Sequence, residues 1–386
     1  VAGQIPVELK DKLWKIISIL TDDPDPTPER EVEYLKSHSD PLSLAINTTR
    51  GDAIDAAIQY GVWLKSALDK NEQPKWSLTK DAPELLEVLN NHLDVTKDPS
   101  VGIRALYGEK LGVLTWLDEK WVRASHQLIF PEEQKYFDAA WESYITFVHA
   151  YDNVFKILQP EYSRAVKEIG NHTDSKHHLE NPDQNLAHHL TIFYWRNLIE
   201  LDSGLLADLY KVADVKLKAE IIDFIGRVAK DDKEVPLVVK NKFIALLESR
   251  IASVKASDNT PENIQEFQSL SWWLSSEKFD DEWMLDRILE VSELGCDFEG
   301  DRLILEKFIT LAEKFPLLVT RCSKHLVEND KKGWGVIHWQ GDLSSVIATV
   351  LKSKDDTAKQ EVTEFVNILI SMGHVSFKNL LESDQS

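Results

Sequence analysis

Apolar residues recur at three- and four-residue intervals along nearly the whole chain, and this period is the strongest constraint on what the sequence can fold into. In "VELKDKLWKIISIL" the residues Leu9, Leu13, Ile16, Ile17 and Leu20 fall on one helical face. "AIDAAIQYGVWLKSAL" repeats the pattern with Ile54, Ile58 and Leu64, and "PELLEVLNNHL", "VKLKAEIIDFIGRVA", "DRLILEKFITLAEKF" and "TAKQEVTEFVNILISM" continue it. No segment alternates apolar and polar residues for long enough to found a sheet. Glycine (15 of 386 residues) and proline (14) are scarce, as long helices require.

The spacing predicts roughly eighteen to twenty helices of about 10–20 residues, joined by short polar turns. Helix pairs recur at about 35–50 residues, without a fixed consensus. The expected fold is all-α: an α-solenoid of degenerate HEAT-like antiparallel helix pairs, each burying its apolar stripe against its neighbours. Two helical-repeat parts are expected, residues 1–170 and 188–386, joined by a polar, His-rich loop at 171–187. Near the start, the acidic linker "TDDPDPTPER" ends in Thr27-Pro28-Glu29, which reads as an N-cap, a first-turn proline and an acid at the positive helix end.

The formal net charge is −21. Such a field repels a phosphate backbone, and no basic patch offsets it, so nucleic acid and anionic membranes are disfavoured as partners. Two cysteines, Cys296 and Cys322, make no disulfide framework and fit a reducing cytoplasm. No apolar run reaches 18 residues, so no membrane span is expected. The chain starts at Val1 and reads as a piece of something longer.

The densest cluster of potential metal ligands is "NHTDSKHHLENPDQNLAHHL", residues 171–190, which holds His172, His177, His178, His188 and His189 among 12 histidines in all. A helical metal site wants ligands at i and i+3 or i+4, and His177 with Glu180 has that spacing. Pro182 follows at once and disfavours helix at Asn181. His188 and His189 are adjacent and diverge on a helix, with His189 one turn from Phe193. The segment therefore reads as a polar loop leading into a helix at 186–201, and no metal or cofactor is expected.

"TTRGDAIDAA" offers Arg50 and Gly51 before a helix, where an anion could sit. It lacks the lysine and glycine spacing of a phosphate loop. It reads as an ordinary helix start, with Arg50 counted as a partner-contact residue. Nucleophile motifs are absent: no G-x-S-x-G, H-E-x-x-H or C-x-x-C, and no His–Asp dyad. Cys322 in "VTRCSKHL" reads as a structural thiol. Carboxylates beside tryptophans in "WLDEKW" (residues 116–121) and "DDEWMLD" (280–286) raise an enzyme alternative, an (α/α) toroid that cleaves glycosides with paired acids. In "WLDEKW" the acids Asp118 and Glu119 also read as caps at a helix–helix turn, and "FDDEW" reads as a helix start capped by Asp280 or Asp281. The loop "KKGWGVIHWQGDL" (331–343) places Trp334, His338 and Trp339 among glycines, the pattern of a shaped contact surface.

Several stretches, among them "NTTRGDAIDAAIQYGVWL", "PSVGIRALYGEKLGVLTWLDEKWVRASHQLIFP", "FQSLSWWLSSEKFDDEWMLDRILEV" and "DKKGWGVIHWQGDLSSVIATVL", resemble the C-terminal helical region of large bacterial proteins. Those proteins carry a STAND-type NTPase or related effector module upstream, and many are linked to antiphage defence. The resemblance covers most of the chain and implies a sensor or scaffold arm. Its partner would be a foreign protein or the upstream domains of the same polypeptide. None of that family's nucleotide-binding motifs occurs here, so no catalytic residue carries over.

Overall fold

The computed structural model describes residues 5–37, 40–69, 76–171, 181–257, 262–330 and 333–383. The fold is all-α: 22 α-helices, with no strand among the described residues. The chain forms two compact units, residues 1–193 and 194–386. The dividing position falls in the helix Pro182–Trp195 rather than in the expected 171–187 loop. Residues 182–187 of that stretch are helical, because Asn181 caps the helix with its side chain on the Asp183 amide (3.0 Å) and Pro182 fills the first turn. His172, His177 and His178 lie outside the described residues.

In the first unit the helix Lys10–Thr21 docks on Thr49–Asp69 through Trp14, whose ring lies 5.1 Å from that of Tyr60. The helix is thereby rotated away from the expected face: Leu13 and Ile17 are partly covered, while Ile16 and Leu20 are exposed.

The helices Val101–Glu109 and Gln134–Phe147 form the tightest pair of this unit. Gly108 allows it, since a Cβ there would sit 2.0 Å from the Ala140 carbonyl oxygen. Arg104 is buried beside them and donates to the carbonyls of Leu128 (2.8 Å) and Leu93 (3.1 Å). Those carbonyls end the helices Leu111–Ile129 and Pro83–Leu93, where a cation opposes the negative pole of the dipole.

The core of the unit is aromatic. Phe130, Phe137, Trp141, Tyr144, Phe155, Tyr162 and Phe193 are all buried with neighbouring ring centroids mostly 5–6.5 Å apart, in stacked and edge-to-face pairs. The polar atoms inside it are matched. Tyr144 and Tyr162 share a hydrogen bond of 2.9 Å, and the Tyr162 hydroxyl meets His189 Nδ1 at 2.7 Å. His189 thus packs on Phe193 (6.0 Å) as its one-turn spacing predicts.

The second unit is built in two rows. Leu270–Ser275, Asp301–Leu311 and Gly335–Leu351 pack in succession in one row; Asp281–Glu293, Pro316–Glu328 and Asp356–Ser371 pack in succession in the other. Trp273 is fully buried and donates to the Ile222 carbonyl at 2.8 Å. Arg250 and the buried Glu266 form a two-pronged ion pair at 2.7 and 2.9 Å, with the guanidinium 4.3 Å above the Tyr210 ring. No described helix is long and apolar enough to cross a membrane.

Candidate functional site

The residues singled out in the sequence serve the fold in most cases. Arg50 stands on the first turn of Thr49–Asp69 and turns back onto the proline-rich linker. Its guanidinium donates to the carbonyls of Asp23 (2.8 Å) and Pro26 (3.0 Å) and to Asp98 (3.3 Å), and Nε lies 3.2 Å from that carboxylate. It is a staple for residues 22–28 and not a surface cation. Thr27 accepts from the Arg30 amide, so the cap foreseen at Thr27-Pro28 is present.

The expected 331–343 loop is shorter than its glycines suggest, because Gly335 starts the helix Gly335–Leu351. Asp330 gathers the amides of Gly333 (3.1 Å) and Gly335 (2.5 Å) and so begins the helix there. Gly335 has no side chain because the Trp339 ring covers it, and a Cβ would come within 2.3 Å of that ring. Trp339 is only 8% exposed and donates to Asp301 at 2.8 Å, so it belongs to the core. Trp334, 65% exposed, and His338 stay on the surface.

Both carboxylate–tryptophan stretches are caps. Asp118 breaks the helix Leu111–Ile129 with φ −153° and ψ 94°, accepting from the amides of Trp121 (3.1 Å) and Leu78 (3.1 Å). Asp280 accepts from the Trp283 amide at 3.0 Å. Cys322 is buried with its thiol directed at the Leu285 carbonyl, and burial raises its pKa strongly, which keeps it a neutral thiol. No three His, Cys, Asp or Glu among the described residues come together as a metal site.

The first unit carries an open groove of about 740 Å³, of whose aromatic lining only Trp116 falls in a stretch marked in the sequence. Its walls come from Thr49–Asp69, Leu111–Ile129 and the turn between Gln134–Phe147 and Asp152–Ile157. Trp116, Phe147 and Tyr151 line it and are 47%, 49% and 47% exposed. Each is outward for a local reason. Leu114, Thr115 and Leu117 take the buried face around Trp116; Phe147 ends its helix before the buried Val148; Tyr151 precedes the first turn of the next helix and lies against Gly112. The Trp116 ring already holds a cation, with Lys65 Nζ 4.3 Å from its centroid.

Polar groups on the groove wall are Gln59, Ser66, His149, Asn153 and Glu109. Glu109 pairs with Lys110 at 3.0 Å, and Lys110 also reaches Asp55 at 3.1 Å. Burial works against the charge of Lys110, but these two hydrogen bonds outweigh it and lift its pKa above the ordinary lysine value. The arrangement offers aromatic faces and hydrogen bonds to a ligand. The signal that could have located it is a set of three aromatics at the ends or on the polar sides of helices, where no core position needs them.

The structure also corrects the statement that no His–Asp dyad exists. His92 Nδ1 lies 2.7 Å from Asp98 Oδ2, both side chains buried, at the edge of a second cavity. No family model, no curated protein and no solved structure matches this chain.

Proposed function

We propose that this chain is a non-enzymatic interaction region: a cytoplasmic sensor or scaffold arm, an α-solenoid of HEAT-like helix pairs, that binds a protein partner. The groove of Trp116, Phe147 and Tyr151 carries the reading. Protein interfaces concentrate their binding energy in a few Trp, Tyr and Arg side chains, and half-exposed aromatics along a groove of this size offer such anchors. The net charge of −21 favours a basic segment as the occupant. The two-row packing of residues 194–386 supports the helix-pair repeat. On the resemblance described above, we further propose that the arm belongs to a larger bacterial defence protein whose effector module stands upstream.

The toroidal glycosidase is the weaker reading. It needs two carboxylates about 5–10 Å apart in an aromatic cleft. Asp118 and Asp280 are spent as caps, and Glu109, the carboxylate among the described residues lining the groove, is ion-paired.

The test is a peptide array spanning net charge and aromatic content, probed with the full chain and with a W116A/F147A/Y151A variant. The reading predicts retention of basic peptides by the wild type and loss of that retention in the variant. Equal retention by both chains, or none by either, would overturn it.

A further inference from the structure

The helices Gly335–Leu351 and Asp356–Ser371 are the last long helices of the second unit. The short turn 352–355 joins them, and they pack on each other as an antiparallel hairpin. With 17 and 16 residues they are both about 25 Å long, so the start of the first lies beside the end of the second. The chain stays at this end afterwards. The short turn Val375–Phe377 packs on Asp356–Ser371, and the helix Lys378–Ser383 reaches Gly335–Leu351.

Four large apolar side chains, Trp334, Ile337, Met372 and Val375, stand at this end, each more than half exposed. The local backbone puts them there. Asp330 holds the amides of Gly333 and Gly335, which starts the helix with Trp334 just outside it. Ile337, three positions on, shares the side of Trp334, while Val336 and Trp339 take the buried side. Gly373, at φ +99°, ends the other helix: its amide bonds the Ile370 carbonyl (2.9 Å), and the His374 amide bonds the Leu369 carbonyl (3.0 Å). That left-handed turn leaves Met372 and Val375 outside while Leu369 and Phe377 are buried.

The net charge is −21, yet residues 333–341 and 371–377 hold no Asp, Glu, Lys or Arg; their titratable side chains are His338 and His374. Of the nearby charges, Asp330 is bound to backbone amides, Asp301 accepts from Trp339 at 2.8 Å, and Lys378 pairs with Glu382 at 3.2 Å.

We propose that this end of the second unit is a self-association surface, on which a second copy of the chain seats the same patch in a closed two-fold pair. Two chains of this charge repel each other over most of their surface, and they can meet where neither presents a net charge. An exposed cluster of tryptophan, methionine, isoleucine and valine gains most from an equally apolar partner. A two-fold pair needs only this one patch, since it is its own complement. The patch is small, so the pair exchanges with the monomer. The proposal does not rest on the aromatic groove of the first unit.

Sedimentation equilibrium of the full chain over a concentration series tests it, with the wild type, Trp334→Asp, Val375→Asp and Ile19→Asp, each checked for folding by a thermal melt. Ile19 is as exposed as Trp334 but stands on Lys10–Thr21 in the first unit. The wild type is expected to rise towards twice the chain mass and to associate no less at high salt, which screens the remaining repulsion. Trp334→Asp and Val375→Asp are expected to weaken association at least tenfold, and Ile19→Asp to leave it unchanged. A single-chain mass at every concentration, a mass that grows past two chains, or association that survives both patch variants would overturn the proposal. So would an equal loss in Ile19→Asp.

Discussion

Asp98 and His92 stand six positions apart and face each other at 2.7 Å, while the same carboxylate holds Arg50 from a helix 48 positions away. One buried aspartate thus ties the turn after the helix Pro83–Leu93 to the proline-rich linker. Burial disfavours its charge, but the His92 hydrogen bond and the Arg50 charge outweigh that penalty and hold its pKa below the ordinary 3.8. A folded-state value lower than the unfolded one adds stability that is complete above the ordinary range and is lost as pH falls through the lower folded value. Asp98→Asn is expected to cost about 3–5 kcal/mol near neutral pH, because it strands the Arg50 charge. Denaturant melts from pH 7 to pH 2 check this: the wild type should lose stability below about pH 4, and the variant should lose less over that interval.

Glu266 supports a separate expectation in the second unit. It is buried and holds Arg250 with both carboxylate oxygens. Glu266→Ala leaves a guanidinium without its partner and should cost about 3–5 kcal/mol. Replacing both residues by leucine should cost less than the single change, since no charge is then stranded. Chemical denaturation of the three variants measures the difference.

Two glycines respond in opposite directions to alanine. At Gly108 the new Cβ would meet the Ala140 carbonyl oxygen at 2.0 Å, a backbone atom that cannot swing aside. Gly108→Ala should force the two helices apart and cost at least about 1–3 kcal/mol. Gly341 lies exposed inside Gly335–Leu351, with nothing within 4 Å of the added carbon. Gly341→Ala should stabilise by about 1 kcal/mol through helix propensity alone. Thermal melts of the pair check both signs.

The fold class could be read from the sequence because helix periodicity is local. The caps at Thr27, Asp118 and Asp280 were legible for the same reason: each bonds an amide within three residues. What depended on distant neighbours was not. Arg50 looked like a surface cation because its acceptors lie 24 to 48 positions away. Trp339 looked exposed because nothing local says that its ring folds over Gly335. The His92–Asp98 pair was missed because its six-residue spacing fits no single helix turn, and a bend after Leu93 brings the two together. The aromatic groove could not be read because only Trp116 stands in a stretch the sequence marks, while Phe147 and Tyr151 lie 31 and 35 positions on and only the assembled helices expose the three side by side.

The central claim is that Trp116 and its neighbours form the contact face. The most direct measurement is fluorescence anisotropy of one labelled basic peptide, the strongest retained on the array, against the wild type, Trp116→Ala and Trp334→Ala at two salt concentrations. Trp116 is half exposed and Trp334 more so, and a thermal melt of each variant checks that the fold is kept. The account predicts affinity at least tenfold weaker for Trp116→Ala, unchanged for Trp334→Ala, and lower at high salt for the wild type. Unchanged affinity on loss of Trp116, or an equal loss in both variants, would contradict it.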